Sequence, residues 1–233
     1  MQTISELGFV IGVYKRELKN RFLCEVQIGN KDIVCYVPSS CHLSNFLQLE
    51  GKRVLLVPTT TSRTRTSFAL FAVPYKRSYI VLNTSIANRA MEGALHGKRF
   101  SFLGKRTVVE KECLIEGYKA DLYLPETKTI IEIKSIITVG NSACFPTVYS
   151  ERAIEQLKKA KILLKEGYNF VYIFVSLNPY VKSVRLSEDV KQAEYKKLFL
   201  ECVDNGMAYR AYTSKLNGVE PVINREIPLM LEK

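Results

Sequence analysis

Apolar and polar residues alternate in two stretches near the middle of the chain, 119–124 and 129–136, on either side of Pro125-Glu126-Thr127-Lys128. A period of two around a turn-forming segment predicts a β-hairpin. A turn centred between Glu126 and Thr127 sets Asp121 opposite Glu132. Side chains two apart share a strand face, so Lys134 joins both carboxylates. The second strand is otherwise apolar, with Ile130, Ile131, Ile133, Ile136 and Ile137. Strands buried on both faces have this composition, and charges inside them need a partner or a metal.

The same reading extends along the chain. Runs at 8–16, 22–29, 33–37, 53–57 and 68–73 predict five strands, with a short helix at 41–49 between the third and fourth. That order suggests an OB-like β-barrel, a fold that grips single-stranded nucleic acid with basic grooves and stacked aromatics. The pattern changes near Asn83. Thr84 or Ser85 can cap a helix to about His96, ended by Gly97. A strand at 107–113, the hairpin and a loop over 140–149 follow. Ser150 can cap a second helix, in which Ala153, Leu157, Ala160 and Leu164 recur at helical spacing. Residues 168–176 read as a buried strand, 188–205 as a helix and 207–213 as a strand. The expected fold class is mixed α+β, with an OB-like barrel over 1–82 and an α/β domain over 83–233.

Composition sharpens this picture in two respects. With 233 residues, 47% hydrophobic and 24% charged, the chain reads as globular. No segment approaches the roughly 18–20 apolar residues that span a bilayer, and the first residues lack a signal-peptide pattern. The six cysteines show no CxxC spacing. Cys24, Cys35, Cys113 and Cys144 read as reduced thiols in apolar or strand-like runs, so a cytoplasmic location is expected. The net charge of +11 favours a polyanionic partner, nucleic acid above all. Residues 1–82 carry 11 Lys+Arg against 5 Asp+Glu, the remainder 23 against 18, so the first third is the more basic per residue. Lys15, Arg16, Arg21 and Phe22 flank the first strand-to-strand turn, and Arg63 and Arg65 lie in a Thr/Ser-rich tract. Together they are candidate nucleic-acid contacts. Singly, each cation also reads as a solvated charge and Phe22 as core.

The hairpin carries the candidate chemistry. Opposed carboxylates destabilise a strand pair, and a divalent cation between them removes the penalty. The same three residues would also serve as the solvated face of an exposed hairpin.

The order helix, three strands, helix, strand resembles the core of the PD-(D/E)xK nuclease superfamily, with Asp121 and Glu132-Ile133-Lys134 in the positions of its motif. Across nearly its whole length the chain resembles the sugar fermentation stimulation protein A (SfsA) family. The resemblance rests on KRELKNRFLCEVQIG, CYVPSSCHLSNFL and the Gly51 turn, then on Glu112, Asp121, EIKSI, ACFP and SERAIEQL. It implies an OB-like domain joined to a nuclease-like domain. It also implies a DNA-binding protein with metal-dependent phosphodiester hydrolysis, using Mg²⁺ or Mn²⁺. In that picture Asp121, Glu132 and the Ile133 carbonyl hold the metal, and Glu112 either completes the set or pairs with Lys111 or Lys119. Glu92 is a weaker ligand candidate. Lys134 acts on the attacking water or the phosphate, Gln156 faces the site, and Arg152 and Lys119 contact nucleic acid. The implied partner is DNA ahead of RNA. The alternative is a non-catalytic DNA-binding regulator of sugar-metabolism genes on the same fold. The chain departs from the family pattern at Tyr118-Lys119 (usually Ser-Arg), Thr147 (Asp), Ala153 (Gly) and Gln156 (His). These positions bear on substrate choice and rate more than on metal binding.

Overall fold

The computed structural model describes residues 8–38, 42–45, 47–59 and 66–231. Arg63 and Arg65 lie outside the described residues.

The first strands are β1 (Val10–Glu17), β2 (Leu23–Ile28), β3 (Lys31–Tyr36), β4 (Arg53–Pro58), β5 (Phe68–Tyr75) and β6 (Ser78–Val81). Their order is β3-β2-β1-β4-β5-β6, and a further β3–β5 contact at Tyr36↔Ala69 closes β1–β5 into a barrel. Gly12 permits the tight packing of β1, because a β-carbon there would overlap Val26 Cγ1. The five predicted strands are present. The expected helix at 41–49 shows only a 3₁₀ turn at Leu43–Asn45 among its described residues. The sixth strand went unpredicted because Ser78–Val81 is short and follows Pro74 closely.

The second unit is built on a mixed sheet. Helix α1 (Ile86–Ala94) precedes β7 (Glu110–Lys111), β8 (Leu114–Ile115), β9 (Tyr118–Lys119), β10 (Leu122–Leu124), β11 (Thr129–Ile136) and β12 (Ser142–Phe145). Then come α2 (Glu151–Lys165), β13 (Asn169–Ser176), β14 (Ser183–Leu186), α3 (Ala193–Asp204), β15 (Ala208–Asn217), β16 (Glu220–Ile227) and β17 (Leu229–Met230). The sheet order is β16-β15-β13-β11-β10-β7, with β11, β13 and β15 parallel. A parallel pair needs a long crossover, which α2 supplies between β11 and β13.

Several expected boundaries shift. The strand at 107–113 contracts to Glu110–Lys111, since Glu112 adopts a left-handed φ of +47° that ends the extended run. The loop at 140–149 contains β12, which pairs with β14 through contacts distant in sequence. The helix at 188–205 begins as a 3₁₀ turn, Val190–Gln192, with Asp189 Oδ1 accepting from the Lys191 amide at 2.9 Å. The first helix stops at Ala94 rather than His96, and a 3₁₀ segment, Lys98–Leu103, takes over after Gly97.

Alternation along β11 sorts its residues between two cores. Ile131, Ile133 and Ile137 join a cluster that runs from the barrel through α1, while Ile130 and Ile136 join the cluster under α2 and α3. Glu132 and Lys134 therefore face the α2 side. No helix among the described residues is long and apolar enough to cross a membrane.

Candidate metal and catalytic site

The hairpin forms in the expected register. Leu122 pairs with Ile131, Tyr123 with Ile130 and Leu124 with Thr129, around a 3₁₀ turn at Pro125–Thr127 and a left-handed Lys128. Extending that register by one step sets Asp121 against Glu132. The ladder ends there, and the Asp121 side chain takes over from it: Oδ2 accepts from the Ile133 amide at 2.7 Å. The amide and carbonyl of one strand residue leave by the same edge, so the Ile133 carbonyl also faces the Asp121 side.

Around this point polar side chains converge. Glu132 is 2% exposed, and its carboxylate is held at both oxygens. Oε1 accepts from Lys134 Nζ at 2.6 Å and Gln156 Nε2 at 2.9 Å, and Oε2 from the Tyr118 hydroxyl at 2.6 Å. Lys134 Nζ also donates to Gln156 Oε1 at 2.8 Å and lies 5.8 Å from the Tyr172 ring centre. Asp121 Oδ1 accepts from Asn88 Nδ2 on α1 at 3.1 Å. Burial and, second, the Glu132 charge push the Asp121 carboxyl up to about 6, against the opposing pull of the Ile133 amide, Lys134 and Asn88. Burial likewise raises Tyr118, helped by Glu132, so its hydroxyl stays a proton donor.

Asp121, Glu132, Lys134 and Gln156 open on a cavity of about 480 Å³, lined also by Thr84, Pro146 and Arg152. Helix α2 brings Arg152 and Gln156 to it. Ser150 caps that helix, its Oγ accepting from the Ala153 amide at 3.2 Å. Ala153, Leu157 and Ala160 anchor the buried face one step away.

Glu112 stands apart from this cavity. It is exposed, pairs with Lys119 at 3.2 Å, and lines a neighbouring cavity on the other side of Asp121 with Asn88, Arg89 and Lys111. Glu92 pairs with Lys111 at 2.8 Å. Lys119 points away with Glu112. The barrel candidates lie outside this cavity, Lys15 and Arg16 at the end of β1 and Arg21 and Phe22 on the β1–β2 loop. Arg16 is bound to Glu25 at 2.7 Å, Arg21 lies 4.9 Å from the Phe22 ring, Phe22 is exposed, and Lys15 is half-buried.

The donors suit a hard divalent cation. Two carboxylates and a backbone carbonyl are oxygen ligands of the type such ions take. The direct partners of Asp121 are a backbone amide and a side-chain amide, both neutral, and its carboxyl, raised by burial first and by the Glu132 charge second, is one that a bound cation would pull down. Among the described residues no group of three or more His, Cys, Asp or Glu gathers around a point, so carbonyl and water oxygens would complete the shell. Tyr118 and Asn88 were not singled out as site residues from the sequence. Tyr118 lay only among the departures from the family pattern.

Residues 85–220 match the family described as "Sugar fermentation stimulation protein RE domain". A sugar fermentation stimulation protein homolog of Methanobrevibacter smithii is 23% identical, over 93% of this chain and 95% of its own length. One of Ruminiclostridium cellulolyticum is 26% identical over 80% and 88%. The structure of Pyrococcus furiosus SfsA in complex with Ca²⁺ matches with a TM-score of 0.82 at 18% identity, covering 99% of this chain and 98% of that one. That likeness concerns the fold: an N-terminal closed barrel and a second, open curled sheet. With the family match spanning more than half of the sequence, the chain belongs to the SfsA family of sugar fermentation stimulation proteins.

Proposed function

We propose that this chain is a DNA-binding protein with metal-dependent nuclease activity. The observation that carries the reading is the convergence of Asp121, Glu132, Lys134 and Gln156 on one cavity. The Ca²⁺ in the Pyrococcus furiosus relative supports a divalent site in this fold.

Mg²⁺ or Mn²⁺ would be held by Asp121, Glu132 and the Ile133 carbonyl, and would supply Lewis acidity for phosphodiester hydrolysis. The chain's own groups divide the remaining work. Asn88 and the Ile133 amide fix Asp121; Tyr118 and Gln156 fix Glu132. Lys134 presents an ammonium beside the carboxylates, where it orients water or stabilises charge growing on the phosphate. Arg152, at the cavity wall, fits a phosphate oxygen.

A second reading is a DNA-binding regulator of sugar-metabolism genes that does not cut. The closed set of hydrogen bonds around Glu132 favours it, because Lys134 is engaged as a structural counter-ion there. Cleavage of labelled single- and double-stranded DNA and RNA, with Mg²⁺, Mn²⁺ or EDTA, separates the two. The nuclease reading expects metal-dependent products from the wild type and none from Asp121→Ala, Glu132→Ala or Lys134→Ala. Binding without products under any metal would shift the assignment to the regulator.

A further inference from the structure

A separate cavity, about 490 Å³, lies where the barrel meets the second sheet. Lys76 reaches it from the β5–β6 turn, Tyr180 and Lys182 from the loop after β13, Lys215 from β15, Arg225 from β16, and Asn141 from the segment before β12. Among the described residues, no Asp or Glu lines it. Among the described residues, none of the four cations forms a salt bridge. Like charges gathered in a concavity without counter-ions concentrate a positive potential.

The cavity is also pre-shaped. Tyr75 pairs with Ser78, so Lys76-Arg77 form a two-residue turn, and Lys76 sits at φ +53°, where glycine or asparagine is the easier choice. That turn holds the Lys76 ammonium 4.9 Å from the Tyr180 ring centre and 5.4 Å from that of Tyr75. The Arg77 amide donates to the Tyr180 hydroxyl at 3.1 Å, and Arg225 Nη2 to the Val181 carbonyl at 2.8 Å. A strained backbone that fixes a cation at a cavity wall suggests use rather than accident.

Along the chain, the basic cavity and the candidate catalytic one have lining residues only a few positions apart. Residues 134–137 line the candidate catalytic cavity and Asn141 the basic one. The intervening chain spans at most about 14 Å, or about four base-pair steps of ~3.4 Å along a duplex axis. The end of β1 and the β1–β2 loop of the barrel make a poorer grip, with Arg16 engaged by Glu25.

We propose that this cavity binds the phosphate backbone of the nucleic acid that enters the Asp121–Glu132 site. It supplies the main electrostatic contact, ahead of the β1–β2 loop. The inference rests on the nucleic-acid reading above and deepens it.

The test is fluorescence anisotropy of the full chain with labelled single- and double-stranded DNA and RNA in EDTA, over a salt series. The variants are Lys76→Gln/Lys182→Gln/Lys215→Gln, the double Lys182→Glu/Lys215→Glu that leaves the β5–β6 turn intact, and Arg16→Gln/Arg21→Gln. Melting curves accompany each. The triple variant is expected to bind more weakly at every salt concentration. Its slope of log K against log salt should be shallower by about 2–3, at ~0.9 for each lost phosphate contact on duplex DNA. The double variant should also weaken, and the barrel variant should change less than either. Wild-type binding with unaltered slope and affinity in the folded triple and double variants would overturn the inference and leave the nucleic-acid reading standing. A wild type that binds none of the probes would overturn both, so the wild-type curve distinguishes the two failures.

Discussion

Asp121 is held under electrostatic tension. Its carboxyl ordinarily titrates near 3.8 and here is pushed up to about 6, so the fold favours the protonated form. Its contribution to stability is complete below about pH 4 and is lost as pH rises through about 6, on the order of 3 kcal/mol. Urea denaturation in EDTA should show wild type losing that much more than Asp121→Asn across the window. Parallel pH profiles would contradict the assignment. Since metal binding needs the ionised carboxylate, Mn²⁺ affinity measured by calorimetry should fall as pH drops below about 6. Tyr118 is the next test. Tyr118→Phe removes the 2.6 Å donor to Glu132 Oε2 and leaves a buried oxygen unsatisfied, at a cost of about 1–3 kcal/mol. A lower melting temperature and weaker Mn²⁺ binding are expected together. An unchanged Mn²⁺ affinity would reduce Tyr118 to a packing residue.

At the scale of elements, the hairpin was the most legible part of the chain. A four-residue turn and a strict alternation determine register locally, and the observed pairs of Leu122–Leu124 follow it. Helix α2 was legible for a similar reason: Ser150 marks its start and a single apolar face marks its length. Because this helix carries Arg152 and Gln156, its cap bears on the site. Ser150→Ala should cost about 1 kcal/mol of stability by urea denaturation; no loss would mean the Ala153 amide finds another acceptor. The elements that escaped prediction were short or edge strands. β6, β12 and β14 have four residues each, too few for a period to declare itself; β6 forms against β5 across a two-residue turn, and β12 and β14 form against each other from distant parts of the chain.

At the scale of the molecule, barrel and sheet are tied together. One apolar cluster includes Val26 and Leu56 of the barrel, Leu82, Met91 of α1, Phe100, and Ile133 and Ile173 of the central strands. The Val81 amide donates to the Leu177 carbonyl at 3.1 Å, and the Tyr75 hydroxyl to the Val139 carbonyl at 2.6 Å. Phe100 packs on Tyr212 with ring centres 5.3 Å apart. Shared burial of this extent predicts a single cooperative unfolding transition, with far-ultraviolet dichroism and tyrosine fluorescence changing together. Two separated transitions would show that the barrel and the sheet unfold independently.

The sequence by itself determined the features that depend on neighbours along the chain. These are the five barrel strands, the hairpin register, the cap of α2, and the shared face of Glu132 and Lys134. Period and turn chemistry act over a few residues, so they can be read directly. Tertiary structure alone decided which side chains complete each site. Asn88 reaches Asp121 from α1, and Tyr118 reaches Glu132 from across the hairpin. Glu112, close to both in sequence, turns outward to Lys119. The basic cavity draws Lys76, Lys182, Lys215 and Arg225 from four separate segments. Each alone reads as an ordinary surface charge, and only the closure of barrel against sheet brings them to one place.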